Sequence, residues 1–294
     1  MTIDQYLADR ASAVNAALER LLPPETQYPE TIHSAMRHSV FAGGKRIRPV
    51  LFLAATEAVL PSAEGAEPAA CALELVHTYS LIHDDLPALD NDDFRRGKPT
   101  CHKVYGEAMA ILAGDALLTL AFQVLSDVKT MRDSNQVRLV AELATAAGTV
   151  NGMIGGQVAD LEAEGKAVDG ARLDYIHRSK TGALIGASVR MGGIYADADA
   201  EQLAALGRYG EHIGLAFQIV DDILDVVGTS ETLGKTAGKD AVQQKATFPA
   251  LYGLEASRER AHEHFQQATE ALEVFGEHAL RLRQIAEKIV RRTS

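Results

Sequence analysis

The sequence is poor in aromatic residues and in cysteine. It has no tryptophan among its 294 residues, and aromatic side chains make up 5% of it. Because strands favour aromatic and β-branched residues, a chain rich in alanine and leucine instead favours helices. The two cysteines, Cys71 and Cys101, form neither a disulfide framework nor a zinc-ligand pattern. Cys71 lies in an apolar helical run and is expected to be a core residue.

The sequence also lacks an excess of basic residues, since its formal net charge is -11. Nucleic acid is therefore not expected as a partner, because its binding depends on a basic face that neutralises phosphates. A diphosphate substrate remains compatible with this charge if metal ions bridge acidic side chains to the phosphates.

Targeting and membrane segments are not recognised either. The stretch Met1–Gln5 is not a basic region followed by an apolar run, so no signal peptide is expected. No stretch approaches the roughly 18 apolar residues of a membrane span. The sequence therefore predicts a cytoplasmic protein with no membrane span.

Helical periodicity dominates the chain, as in residues 3–22, where Ile3, Leu7, Val14 and Leu18 mark one apolar face. No composition shift or polar linker divides the sequence, which predicts one domain, 1–294. The predicted class is an all-α, single-domain bundle of about ten or more helices. Residues 90–103 are expected to be a loop, and no strand is predicted. Predicted helices cover 3–22, 29–42, 49–60, 68–86, 106–129, 135–163, 170–194, 199–227, 246–254, 257–275 and 278–292.

The first acidic group is Asp84, Asp85 and Asp90, followed by a loop with Asp92 and Asp93. A spacing of six residues does not align Asp84 with Asp90 on a regular helix. Pro87 should break the helix near Leu86, because its ring clashes with the preceding turn, and let Asp90 return toward Asp84. Asp92 and Asp93 are expected to pair with the cations of the loop.

The second acidic group is Asp221, Asp222 and Asp225. Asp221 and Asp225 are four residues apart and share one helix face, near Gln218. Their flanking residues are apolar, so the repulsion between these carboxylates should be offset by a cation. Magnesium suits such a group, because it takes one or two carboxylates, keeps waters and adds substrate phosphate oxygens. The alternative is a solvated acidic face.

Two basic clusters accompany the acidic groups. Gly43-Gly44-Lys45-Arg46-Ile47-Arg48 is a glycine turn with three cations, and Arg95-Arg96-Gly97-Lys98 is another basic turn. Arginine binds phosphate through two parallel hydrogen bonds, and lysine acts as a compact charge. Either cluster alone is more simply an ordinary basic surface, but two acidic groups in the same chain favour phosphate binding.

In these motifs the chain resembles the trans-isoprenyl diphosphate synthase family. The matching stretches are ordered from residue 43 to 249, and they end with Gln218-x2-Asp221-Asp222-x2-Asp225 and Gly234-Lys235-Thr236. The resemblance implies the isoprenoid synthase fold around a central substrate cavity, diphosphate substrates and a homodimer. It implies that isopentenyl diphosphate is condensed with dimethylallyl and geranyl diphosphate to give a fifteen-carbon trans product.

The resemblance also implies a role for each matching residue. Three Mg²⁺ ions would be held by Asp84, Asp85, Asp90, Asp221, Asp222 and Asp225. Isopentenyl diphosphate would be bound by Lys45, Arg48, His77 and Arg96, although a core or surface histidine is the simpler interpretation of His77 alone. The allylic diphosphate would be bound by Arg95, Lys180, Thr181, Gln218, Lys235 and Lys245. Catalysis is assigned to Lys180, Thr181, Lys235 and Arg95.

Product length would be set by Tyr79 and Ser80, one to two turns before Asp84. An aromatic residue at 79 fits a fifteen-carbon product, whereas the alternative for Tyr79 is a plain core aromatic. The rival functions are a twenty-carbon synthase, a class I terpene cyclase and a catalytically silent partner subunit. Gln157 and Asp160 are expected to support the site or to pack between helices, and Asp115 to be structural. The resemblance implies that the tail Val290-Arg291-Arg292 closes over the site, but frayed surface is the simpler interpretation of this tail.

Overall fold

The computed structural model describes residues 1–227 and 247–292. Helices make up most of these residues and confirm the predicted all-α class. The α-helices are α1 Ile3–Leu21, α2 Glu30–Val40, α3 Ile47–Val59, α4 Glu67–Asp84, α5 Cys101–Tyr105, α6 Glu107–Ser126, α7 Asp133–Ala147, α8 Met153–Ala163, α9 Gly170–His177, α10 Ala183–Tyr195, α11 Ala200–Val227, α12 Phe248–Tyr252, α13 Leu254–Ala271 and α14 Leu280–Arg291. A π-helical turn, Arg178–Gly182, joins α9 to α10, and a 3-10 segment, Glu273–Ala279, precedes α14.

The chain packs into two compact units, and two of the three boundaries fall inside α3 and α7. Unit 1 consists of Met1–Val50 and Glu64–Val140, and unit 2 consists of Leu51–Ala63 and the chain from Ala141 onward. The predicted single domain remains a prediction, and each unit is described on its own.

Unit 1 is built on α4, which packs against α6 and α1. Most of α4 is buried, including Cys71, whose thiol donates to the Val14 carbonyl oxygen over 3.7 Å. The core position predicted for Cys71 is confirmed, and both cysteines are free thiols. A capping box starts α1, where the Thr2 hydroxyl accepts from the Gln5 amide and the Gln5 side chain accepts in return.

A short hairpin replaces part of the loop predicted for 90–103. Strand β1, Phe94–Arg95, pairs antiparallel with β2, Lys98–Pro99. Arg96 and Gly97, at the turn, have φ of 54° and 76°, the left-handed geometry of a tight hairpin turn. The prediction of no strand was therefore wrong here, because two-residue strands show no alternation that a pattern search detects. Helix α5 was also missed inside the same segment.

Unit 2 is built on α11, which packs against α10 and α13. Glycines let its helices approach: a Cβ on Gly210 would lie 2.8 Å from the Gly186 Cα. Leu51–Ala63 joins this packing, since the Thr56 hydroxyl donates to the Gly192 carbonyl oxygen over 3.2 Å and Phe52 meets Tyr195 edge-on. The core of this unit therefore includes a segment far away in sequence.

The helix predicted over 135–163 is two helices. Helix α7 ends at Ala147 and α8 begins at Met153, with Asn151 at a positive φ of 53° between them. Gly148 and Gly152 lie in the break, since a glycine gives less helical stability than most other residues and permits turns.

One helix of the described chain, α6, is long and apolar enough to cross a membrane by length and composition. This qualifies the expectation that no stretch of the sequence approaches the roughly 18 apolar residues of a membrane span. Its buried residues Ala110, Ala113, Leu117 and Ala121 belong to the core of unit 1, and a core helix of a soluble protein passes the same test.

Candidate functional site

The first acidic group lies where α4 ends. The helix stops at Asp84, two residues before the predicted break, and the chain turns back through Pro87. The Asp90 amide then donates to the Asp84 carbonyl oxygen over 2.8 Å, and the Asp92 amide to the Asp85 carbonyl oxygen over 3.1 Å. The predicted return of Asp90 to Asp84 is confirmed, and the proline is its cause.

Asp85 is held by Arg95. The Arg95 Nε atom lies 2.8 Å from Oδ1 and 2.9 Å from Oδ2 of this carboxylate, which is 3% exposed. Burial raises the pKa of Asp85, and the Arg95 guanidinium opposes that rise. Arg95 was predicted to contact the allylic diphosphate, and in this structure Asp85 is its partner.

The loop carboxylates pair only partly as predicted. Asp92 lies 3.8 Å from Arg95, a cation of the loop. Asp93 instead pairs over 2.8 Å with Lys103, a residue of α5. The hairpin thus begins directly after two carboxylates that are both paired with cations.

The two basic clusters contact each other in unit 1. The Arg96 guanidinium donates to the Gly43 carbonyl oxygen and fills the space that a Cβ on Gly44 would need. Burial lowers the pKa of His77, and the positive charges of Arg48 and Arg96 lower it further. Arg48, His77 and Arg96 are therefore close enough for the two charges to act on the imidazole, and Lys45 is exposed in the same glycine turn.

Arg46 differs from its two cationic neighbours because it points into the core. Its guanidinium binds the Glu74 carboxylate over 2.8 Å, the Val40 carbonyl oxygen over 2.7 Å and the Asn15 side chain over 2.9 Å. The arginine and the glutamate side chains are only 2% and 3% exposed. Arg46 is therefore a structural residue.

Tyr79 and Ser80 face different neighbours on α4. Tyr79 is buried, and its ring meets His83 edge-on at 5.6 Å between centroids. The Ser80 hydroxyl donates to the His77 carbonyl oxygen over 2.8 Å. Their control of product length remains a prediction. His83 donates to the Ile111 carbonyl oxygen over 3.0 Å, and Asp115, expected to be structural, lies 4.0 Å from this ring.

The second acidic group lies on α11 in unit 2, and its three carboxylates have different surroundings. Asp221 binds Arg292 over 2.8 Å. Asp222 is buried and accepts from His177 Nε2 over 2.9 Å and from the Phe248 amide over 3.0 Å. Asp225 is also buried, and its Oδ1 atom has no hydrogen-bond partner among the described residues.

Gln218 was expected near the face of Asp221. Its side-chain amide instead lies 3.4 Å from Asp222 Oδ1, which is four residues further along the same helix. Its predicted contact with the allylic diphosphate is untested.

The C-terminal arginine pair was expected to be frayed surface, and for Arg292 that was wrong. Its side chain is 16% exposed, donates to Asp221 and to the Phe217 carbonyl oxygen, and covers the Phe217 ring at 4.1 Å. Arg291 does lie at the surface, where it pairs with Glu287 one turn earlier in α14.

Lys180 and Thr181 lie in the π-helical turn. The Lys180 ammonium binds Asp160 Oδ2 over 2.7 Å. Gly156 makes this possible, because a Cβ there would collide with the Lys180 backbone. The supporting role expected of Asp160 thus has a direct contact, whereas Gln157 makes no such contact with another described residue.

Two predicted site residues, Lys235 and Lys245, lie outside the described residues, as does the motif around Gly234. His177 was not singled out from the sequence, where its only signal is a position three residues before Lys180; its burial is seen only in the structure.

The donor set suits magnesium better than a metal held by protein ligands alone. Within 1–227 and 247–292, no three histidine, cysteine or carboxylate side chains form a ready metal cage. Magnesium usually needs only one or two carboxylates beside waters and substrate phosphate. The buried, unpartnered Oδ1 atom of Asp225 is an oxygen that fits such a cation.

Comparison with known proteins agrees with the fold. A model of the family described as polyprenyl synthetase matches residues 29–282. The chain is 48% identical over 270 residues to farnesyl diphosphate synthase of Geobacillus stearothermophilus, covering 91% of this chain and 90% of that protein. It is 50% identical over 272 residues to a chloroplastic geranylgeranyl pyrophosphate synthase of Capsicum annuum, covering 92% and 73%.

A solved structure shows the same architecture. Geranylgeranyl pyrophosphate synthetase from Pyrococcus horikoshii Ot3 matches with a TM-score of 0.89 and 31% identity, covering 98% of this chain and 99% of that one. The fold and the clustered acidic and basic side chains thus define an all-α synthase of the isoprenyl type. The chain belongs to the polyprenyl synthetase family, whose members are prenyltransferases.

Proposed function

We propose that this chain is a (2E,6E)-farnesyl diphosphate synthase, or geranyltranstransferase. It condenses isopentenyl diphosphate first with dimethylallyl diphosphate and then with geranyl diphosphate. The observation that carries this proposal is the turn at Pro87, which brings Asp90 back to Asp84 beside a cluster of arginines. Carboxylates for metal ions and guanidinium groups for phosphates are what a diphosphate substrate needs.

Magnesium is the proposed cofactor, with three ions held by the two acidic groups. Bound by these carboxylates, they would supply the positive charge that stabilises the departing diphosphate of the allylic substrate. Asp225 has the strongest support as a ligand, because it offers a buried oxygen without another partner among the described residues. Asp84, Asp85, Asp90 and Asp221 remain proposed ligands.

The cationic side chains bind and orient the two substrates. Arg48 and Arg96 hold the diphosphate of isopentenyl diphosphate through paired hydrogen bonds. His77, whose pKa is lowered by burial and by these arginines, is neutral at pH 7 and contributes an N–H donor without a charge. Lys180, already fixed by Asp160, stabilises the negative charge that develops on the departing diphosphate.

The remaining steps need no nucleophile from the protein. The allylic carbon–oxygen bond breaks, the double bond of isopentenyl diphosphate forms the new carbon–carbon bond, and the departed diphosphate removes the proton. Water must be excluded while the carbocation exists, so an apolar channel has to surround the hydrocarbon.

The fifteen-carbon product is favoured by Tyr79, a bulky buried side chain less than two turns from Asp84. A twenty-carbon synthase is the second candidate, because the Capsicum annuum protein of that name is equally similar. We also propose a cytoplasmic homodimer: α6 exposes Ile111 and Leu112 by 45% and 54%, an apolar surface that suits a second copy.

The test is to incubate the purified chain with Mg²⁺, isopentenyl diphosphate and each allylic starter, and to size the products. We expect farnesyl diphosphate from dimethylallyl and geranyl diphosphate, and no product from Asp84→Ala. A twenty-carbon product alone would establish the second candidate. A folded chain without turnover would indicate a catalytically silent subunit.

A further inference from the structure

The second acidic group contains one carboxylate that is already engaged on three sides. Asp222 Oδ2 accepts from His177 Nε2 over 2.9 Å and from the Phe248 amide over 3.0 Å. Its Oδ1 atom lies 3.4 Å from the Gln218 amide nitrogen. Asp222 is 4% exposed, so water cannot replace these donors cheaply.

These contacts connect three elements of unit 2. Asp222 belongs to α11, His177 is the last residue of α9, and Phe248 is the first residue of α12. The His177 ring also stacks on the Phe248 ring, with centroids 5.4 Å apart and planes at 21°. The carboxylate, the imidazole and the aromatic ring thus form one packed cluster.

The cluster lies directly before the turn that carries Lys180. His177 is followed by Arg178–Gly182, the π-helical turn, so a hydrogen bond that fixes His177 also fixes the start of this turn. A ligand to magnesium needs an oxygen that points to the ion, whereas Asp222 Oδ2 already accepts from an imidazole and a backbone amide that both belong to other packed elements.

We propose that Asp222 is a positioning residue and not a magnesium ligand, and that His177 is its partner in holding the Lys180 turn. Asp221 and Asp225 would then be the carboxylates of this helix that hold metal ions. The inference deepens the proposed function and depends on it for the role of Lys180.

Measuring metal binding distinguishes a role of Asp222 as a metal ligand from a role as a positioning residue. Mn²⁺ binding to the full chain in the presence of inorganic diphosphate is measured by electron paramagnetic resonance for three variants. Asp222→Asn can still accept from His177 and Phe248, so its Mn²⁺ affinity should stay within about twofold of the unaltered chain. Asp221→Asn and Asp225→Asn should each bind at least about tenfold more weakly. An equal loss in all three variants overturns the proposal.

Substitution of His177 tests the positioning. His177→Leu removes the donor, and the KM for the allylic diphosphate should rise about tenfold while Mn²⁺ affinity is unchanged. His177→Gln keeps an N–H donor and should restore most of that loss. A lower melting temperature with unchanged KM would show that His177 only stabilises the fold, and would refute the proposal.

The role of Asp222 can be decided even if the chain shows no turnover. If the unaltered chain forms no prenyl product, the proposed function fails, and the Mn²⁺ comparison still decides whether Asp222 is a ligand. Urea unfolding of His177→Leu, Asp222→Leu and the double variant needs no ligand at all. If the losses in free energy of unfolding are additive, Asp222 and His177 do not interact and the proposal is disproved. A double variant that is no less stable than the less stable single variant supports the interaction.

Discussion

Replacing Arg46 should destabilise the chain strongly without involving the substrates. In Arg46→Met the Glu74 carboxylate stays buried at 3% exposure without its 2.8 Å partner. Removing one member of a buried ion pair costs about 3–5 kcal/mol, because the other charge cannot return to water. The Val40 carbonyl and the Asn15 side chain lose a donor as well, which places the loss in the upper half of that range.

For a chain of 294 residues the entropy of unfolding is roughly 600 cal/mol/K, so each kcal/mol lowers the melting temperature by roughly 1.6 °C. Arg46→Met should therefore melt roughly 6–8 °C below the unaltered chain, as followed by circular dichroism at 222 nm. Lys45→Met is the matched control, since it removes the same charge from an exposed neighbour and should change stability by less than about 0.5 kcal/mol.

A second change tests the reason for the loss. Adding Glu74→Leu to Arg46→Met removes the stranded carboxylate and should recover most of the stability, because an apolar pair can replace a buried ion pair. The reasoning would be refuted if Arg46→Met cost less than about 1 kcal/mol, or if the second substitution made the loss larger.

Three other changes give separate outcomes. Tyr79→Ala should lengthen the product, seen by chromatography; unchanged length with turnover intact contradicts this role. Arg292→Ala should lower the Mg²⁺ concentration for half-maximal activity severalfold, because the guanidinium no longer occupies Asp221; a higher concentration would mean that the arginine assists the metal. His212 and His264, with Nδ1 atoms 3.1 Å apart, both have pKa values lowered by burial, so stability should fall as pH drops below about 6.5. His264→Leu should flatten that loss in pH-dependent melting, whereas exposed His278→Gln should not.

Burial is the main cause of the lowered pKa values of the histidine pair, and the charges that face the two rings modify it. Glu211 opposes the lowered pKa of His212, and Asp174 and Glu263 oppose that of His264, while Arg178 lowers both pKa values. Since the folded chain prefers both rings neutral, the unfolded chain binds more protons below its own pKa. Full stability is therefore expected above about pH 6.5 and is lost progressively on acidification.

Local steric rules made parts of the fold predictable. Pro87 ends a helix through its own ring and its effect on the preceding residue, so the break and the return of Asp90 follow from six residues of sequence. The hairpin at Phe94–Pro99 could not be predicted in the same way, because its strands are too short to alternate. Its positive-φ turn at Arg96 comes from tertiary contacts with Gly43 and Gly44.

The candidate site was predictable in its residue types but not in its partners. Asp221 and Asp225 share a face by helical spacing, yet nothing in the sequence pairs Asp221 with Arg292, 71 positions away. Likewise Asp222 resembles its neighbours in the motif and becomes distinct only through His177 and Phe248. Such pairings depend on how distant helices pack, and a single sequence carries no direct signal for them.

Unit 2 combines an early segment, Leu51–Ala63, with the chain from Ala141 onward, and this has a consequence for synthesis on the ribosome. Leu51–Ala63 is made early, but the Gly192 and Tyr195 neighbours that cover it belong to a stretch made much later. At about 5–20 residues per second, several seconds pass while Glu64–Val140 is translated. During that time Phe52 lacks its partners and exposes apolar surface. Nascent chains stalled before Ala141 should therefore be bound by chaperones at this segment, and chains stalled after α11 should be released.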